Sequence, residues 1–104
     1  MLFVYATAAD AAEAERIGRT LVAERLVACA NVLPAMRSIY RWQGKIEEAD
    51  EAVLILKTQA TRLSALIARM KELHSYEVPC IEAIEIKEGN PEFLAWVERE
   101  TGGG

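Results

Sequence analysis

Histidine occurs once in this 104-residue chain and cysteine twice, and these scarcities narrow its chemistry before any residue is placed. With His74 as the only imidazole, a triad of nucleophile, base and orienting group would have to converge on that one position. No Gly-x-Gly-x-x-Gly, Walker loop, Gly-x-Ser-x-Gly or His-Glu-x-x-His pattern occurs, and Ser75 beside His74 establishes no catalytic geometry. We therefore expect no enzymatic turnover and no organic cofactor. Cys29 and Cys80 form no Cys-x-x-Cys pair, so neither a zinc knuckle nor a redox dithiol is indicated. They read as small apolar residues kept reduced, with a thiolate ligand or a disulfide as the other openings. Twelve basic residues against sixteen acidic ones leave a net charge of −4, which disfavours partners held through phosphate, so neither nucleic acid nor an anionic membrane surface is expected. No long apolar run and no basic leader are present, which points to a cytoplasmic protein. No Pro-, Gly- or Ser-rich stretch divides the chain, so residues 1–101 read as one domain and Gly102, Gly103 and Gly104 as a mobile tail.

Against these absences, just over half of the residues are hydrophobic, and their spacing is periodic. Leu2 to Thr7 is a short apolar strand. Asp10 followed three residues later by Glu13 resembles a capping box, opening a helix with Ala14, Ile17, Gly18, Leu21 and Val22 on one face and Glu13, Glu15, Arg16 and Arg19 on the other. That helix should end near Arg25. A strand follows from Ala28, with a bulge or bend at Pro34, which cannot donate to a ladder. Beyond it Met36, Ser38, Tyr40 and Trp42 share one face until Gln43 and Gly44 turn the chain. The returning strand from Lys45 begins with acidic residues and finishes with the apolar run Val53 to Leu56, the former outside and the latter central. Thr58 or Thr61 can cap a second helix carrying Leu63, Leu66, Ile67, Met70 and Leu73, with His74 at its last turn. Cys80 to Lys87 reads as a fourth strand, and Gly89, Asn90 and Pro91 open a short final helix faced by Phe93, Leu94, Trp96 and Val97. The order βαββαβ, with a short C-terminal helix, is that of an α+β ferredoxin-like split βαβ sandwich with helices on one side of an antiparallel sheet.

Two constellations stand out. Each arm of the hairpin at Gly44 runs ten or more residues, about twice the usual strand, so its outer half should overhang the domain. A bare edge carrying Tyr40 and Trp42 invites a second chain, the alternative being an exposed ribbon guarded by its charges. The second constellation is His74, Tyr76 and Glu77, three polar groups within four residues at a helix end. Imidazole and carboxylate suit copper or zinc, although a histidine at a helix C-terminus is also favoured by the dipole alone. The acidic run Glu47 to Glu51 alternates across a strand and reads as a solvated face.

Four segments carry a resemblance to a known family: Ala28 to Pro34 (ACANVLP), Ser38 to Ile46 (SIYRWQGKI), Leu54 to Thr58 (LILKT) and His74 to Pro79 (HSYEVP). In order and spacing the chain resembles the CutA divalent-cation-tolerance family over nearly its whole length. The resemblance implies a homotrimer of ferredoxin-like subunits whose long hairpins pair between chains through Tyr40, Trp42 and Gly44. It also implies a role linked to copper and other divalent cations. Members credited with copper binding carry a cysteine before the threonine of the first strand and a second histidine; here those places read Ala6 and Leu73. Ser75 stands for a proline, and Cys80 for a glutamate after Pro79. Weak binding of copper(II) or another divalent cation is accordingly expected through His74, with Glu77, Cys80 or a neighbouring subunit completing the ligands. The alternatives are a sensor resembling the trimeric PII proteins, binding a small anionic effector between subunits, and a non-catalytic assembly scaffold.

Overall fold

In the computed structural model, which describes residues 1–102, the chain forms four strands and three helices, β1 (Leu2–Ala8), α1 (Ala11–Ala23), β2 (Cys29–Trp42), β3 (Lys45–Thr58), α2 (Leu63–Leu73), β4 (Ile81–Glu85) and α3 (Pro91–Glu100). A single 3₁₀ turn, Ala60–Arg62, leads into α2. The strands make one antiparallel sheet in the order β2-β3-β1-β4. Alternation along β1 sorts the two faces: Leu2, Val4, Ala6 and Ala8 point into a core shared with Ala14, Ile17 and Leu21 of α1 and Leu66 and Met70 of α2. Phe3, Tyr5 and Thr7 point the other way. Gly18 is what brings α1 so close, because a Cβ there would lie 2.9 Å from that of Ala30 and 3.3 Å from a methyl of Leu54.

Both hairpin strands run 14 residues, and the register shifts between Leu33 and Met36, placing the expected irregularity at Pro34. Gln43 and Gly44 both have positive φ, +49° and +80°, as a two-residue type I′ connection requires. β1 pairs with β3 only from Ala52 to Thr58. Residues Lys45 to Glu51 pair with β2 alone, so the outer arm is a two-stranded ribbon reaching out from a molecule 44 Å long and 26 Å by 22 Å across.

The end of α1 near Arg25 is as expected: the last helical residue is Ala23, Arg25 enters the left-handed region at φ 60° and Leu26 closes back on the carbonyl of Leu21. Several local expectations are corrected. Val22 is not on the core face but 40% exposed, and Glu13, expected in water, is buried. Neither Thr58 nor Thr61 caps α2: the Thr58 hydroxyl donates to the carbonyl of Leu26 instead (2.7 Å). β4 is shorter than expected, beginning after Cys80, although Cys80 still accepts a hydrogen bond from the backbone of Thr7. α3 starts as anticipated, with the Asn90 side chain accepting from the amide of Glu92 and Pro91 in the first turn. Its end is clasped, since Gln59 donates to the Thr101 hydroxyl (2.8 Å) and Arg62 to the Thr101 carbonyl (2.7 Å). Gly102 follows against Arg62. The expected tail at Gly103 and Gly104 lies outside the described residues.

Candidate functional site

The connection from α2 to β4 separates two environments. On its inner side His74, at the C-cap of α2, turns its ring into the protein, and the ring side chain is wholly buried. Its Nε2 lies 2.7 Å from the carbonyl oxygen of Thr7, and its Nδ1 accepts the backbone N–H of Tyr76 at 3.0 Å. A carbonyl can only accept and an amide only donate, so the ring is the neutral tautomer protonated at Nε2. Both nitrogens are committed inside the fold. Beside the ring, Glu13 takes hydrogen bonds from the amides of Ala9 (2.9 Å) and Ser75 (3.0 Å) and lies 3.9 Å from His74 Nδ1. Burial pushes its carboxyl upward, but the hydrogen bonds from Ala9 and Ser75 outweigh that and hold it below the usual carboxylate range. The capping box read from Asp10 and Glu13 therefore also ties α1 to the far end of α2.

On the outer side lies a cavity of about 520 Å³ against the sheet face that α1 and α2 leave uncovered, within the range typical of ligand sites. Alternation beyond the bulge brings Met36, Ser38, Tyr40 and Trp42 of β2 to this face, where they meet Tyr5 and Thr7 of β1 and Glu51 of β3. The connection contributes Tyr76, Glu77 and Val78, and Cys80 completes the wall. The Tyr76 hydroxyl donates to Glu51 Oε2 at 2.7 Å, fastening the connection to the hairpin. Burial, then the bond to Glu51, pushes the Tyr76 phenol well above its ordinary value. Burial also raises the Cys80 thiol, reinforced by its 3.4 Å contact with Glu82 and by the charge of Glu51 nearby.

Of the three candidate metal ligands, the fold brings Glu77 and Cys80 to one cavity and places His74 behind β1 instead. Among the described residues no three His, Cys, Asp or Glu side chains are grouped closely enough to hold a metal ion. The described residues of one chain thus offer Glu77, Cys80 and Glu51 along this wall but no closed coordination shell. Tyr40 and Trp42 are 44% and 49% exposed on the arm, with Gly44 at its tip. Glu51 and Tyr5 were missed by the sequence reading. A signal for Glu51 existed, because period-two alternation sets it on the same face as Val53 and Ile55; it was masked by membership of an acidic run.

A family model described as CutA1 divalent ion tolerance protein matches residues 2–100. The chain is 47% identical over 89 residues to a divalent-cation tolerance protein CutA of Thermus thermophilus, covering 86% of each. It is 46% identical over 101 residues to the CutA of Pyrococcus horikoshii, covering 97% of this chain and 98% of the other. The solved structure of the Thermus protein superposes with a TM-score of 0.95 at 44% identity over 98% of this chain and all of that one. A structure from Archaeoglobus fulgidus, described as a periplasmic divalent cation tolerance protein, superposes with a TM-score of 0.93 at 40% identity over 97% and 99%.

Proposed function

Because this chain belongs to the CutA1 divalent ion tolerance protein family, we propose that it serves divalent-cation tolerance as a non-catalytic homotrimer of ferredoxin-like subunits, the outer hairpin arms pairing between chains. The observation that carries this reading is the arm itself. Between Met36 and Glu51 the sheet is two strands wide, and an isolated two-stranded ribbon is marginally stable in water. Ile39, Tyr40, Trp42 and Ile46 are nevertheless exposed on it, and the outer edge of β2 is bare. Pairing with another subunit would cover both edge and rings, and the number three follows the family resemblance. Light scattering at micromolar concentration should return a trimer mass. Trp42→Ala should weaken assembly by about 2 kcal/mol, as loss of a buried aromatic anchor does. A monomer mass for the wild type would overturn the assembly.

Copper(II) or another divalent cation is the cargo in this reading, bound weakly through Glu77 and Cys80. His74 joins only by giving up a hydrogen bond to Thr7 or Tyr76, each contributing about 1 kcal/mol, which is one reason for modest affinity. Coordination to sulfur requires the thiolate, and the Cys80 thiol is pushed up, so binding releases a proton and strengthens as pH rises. Calorimetric titration with copper of the wild type, Cys80→Ala and His74→Ala tests this, with Cys80→Ala expected to weaken binding about tenfold. Equal affinity in all three would remove the metal from the function and leave it to the assembly. In this reading the chain resides in the cytoplasm, where Cys29 and Cys80 would stay reduced.

A further inference from the structure

Around His74, on the helix side of the sheet, four backbone amides are held by side chains and not by a helix or sheet ladder. Asp10 accepts from the amide of Glu13 (2.8 Å), Glu13 accepts from those of Ala9 (2.9 Å) and Ser75 (3.0 Å), and His74 Nδ1 accepts from that of Tyr76 (3.0 Å). The amides fall in two short stretches, residues 9–13 and 74–76, and the Glu13 bond to Ser75 joins them across 62 positions of chain. Arg16, one turn further along α1, joins them again by donating to the Leu73 carbonyl at the end of α2 (3.3 Å). Segments with few ladder bonds open at lower free energy than core strands and helices. Glu13 alone serves both stretches, and a charged acceptor makes stronger bonds than a neutral one. What the two stretches enclose is the chain's single imidazole, wholly buried, with Nε2 donating to Thr7 and the Nδ1 lone pair taken by Tyr76.

We infer that residues 9–13 and 74–76 form one latch that opens as a unit, that Glu13 is its fastener, and that its opening is what frees the His74 imidazole as an electron-pair donor. Closed, the ring is a core residue with no lone pair to spare. Open, it is the chain's one neutral nitrogen donor in contact with solvent. Glu13 is a positioning residue here, since it acts on the ring through the backbone that carries it. Use of the freed ring in cation binding rests on the function proposed above, whereas the latch itself depends on neither the cation nor the assembly.

Because the chain has one histidine, its reaction with diethyl pyrocarbonate reads the opening directly, and amide hydrogen exchange at Ala9 and Ser75 reads the two stretches separately. In the full wild-type chain without metal, near neutral pH, the ring should react far more slowly than N-acetylhistidine, at a rate that low urea leaves unchanged. Ala9 and Ser75 should exchange in step with each other. A local opening exposes little surface and so ignores dilute denaturant, whereas global unfolding follows the full urea slope. Glu13→Gln offers one oxygen to two amides and no charge, so the ring's reaction and the exchange of both amides should speed up about tenfold, still without urea dependence. A wild-type ring as reactive as N-acetylhistidine, a rate that climbs with the full slope from the first urea added, Ser75 exchanging while Ala9 stays protected, or unchanged reactivity in Glu13→Gln would overturn the inference. If Glu13→Gln does not fold, the wild-type urea series and the Ala9 and Ser75 comparison decide it. A chain that takes up no copper yet opens in this coupled way would refute the cation role alone. Copper held through Glu77 and Cys80 by a chain whose ring never reacts would refute the latch alone.

Discussion

The root and the arm of the β2–β3 hairpin are made of the same two strands and differ in almost everything that stabilises them. At the root, Ala52, Leu54 and Leu56 are at most 1% exposed, facing α1 and α2, and β3 has a partner strand on each side. On the arm, β3 keeps one partner, Ile39 and Ile46 are 66% and 68% exposed, and the polar contacts are ion pairs in water such as Arg37 with Asp50 at 3.0 Å. Exposed pairs of that kind contribute about 0–1 kcal/mol. The backbone ladder is thus the same in both halves. What distinguishes them is burial: the root is stabilised by this chain's own core, and the arm buries little within the chain.

Mutation can break this contrast or sharpen it. The largest effect should come from Leu56→Ala at the root, where a fully buried side chain is lost and a cavity left, costing about 2–5 kcal/mol. Ile46→Ala on the arm should stay within about 0.5 kcal/mol of wild type at protein concentrations too low for assembly. Urea midpoints with unchanged slope measure both. An Ile46 cost equal to that of Leu56 would mean that the two halves are equally buried.

A middle-sized effect is expected at Glu13, which fastens α1 to the end of α2 beside the root. Glu13→Gln should lose about 1–2 kcal/mol at neutral pH. The folded carboxyl titrates below its unfolded counterpart, which lies near about 4.3. Its stabilisation is therefore complete above that unfolded value and disappears as pH falls through the folded one. Melting curves from pH 7 to pH 3 should show the wild type losing its advantage over the variant on the acid side. A constant gap across that range would show that the hydrogen bonds do not depend on the charge.

The smallest effect should be Gly44→Ala at the tip. A Cβ there would meet nothing within 4 Å, so only the positive φ opposes it, at about 1 kcal/mol. A larger cost, seen only when the protein is concentrated enough to assemble, would place the tip within the subunit contact.

The elements were legible because they follow from local rules. A period of two or of 3.6 in apolar residues, Asp10 and Glu13 at capping spacing, Pro34 without an N–H and Gly44 free to take positive φ each act within a few residues of themselves. The outward reading of Glu13 failed because a helical wheel marks polar residues as solvent-facing and does not know that the amides of Ala9 and Ser75 converge on that side. His74 failed to join Glu77 and Cys80 for a similar reason. Those residues are close in sequence, but the imidazole is held by the carbonyl of Thr7 and the amide of Tyr76, whereas the Tyr76 hydroxyl reaches Glu51 and Glu77 and Cys80 line the cavity.

By itself the sequence determined the order of strands and helices, the turn, the bulge and the family, since these depend on short-range patterns that survive without knowledge of the fold. Only the tertiary structure decided which polar groups are buried and what they meet. The ring of His74 finds the carbonyl of Thr7 across 67 positions, and the hydroxyl of Tyr76 finds Glu51 across 25. Such pairings arise when sheet register and helix packing bring distant segments together, so a carboxylate in an acidic run can become the one buried charge of a cavity.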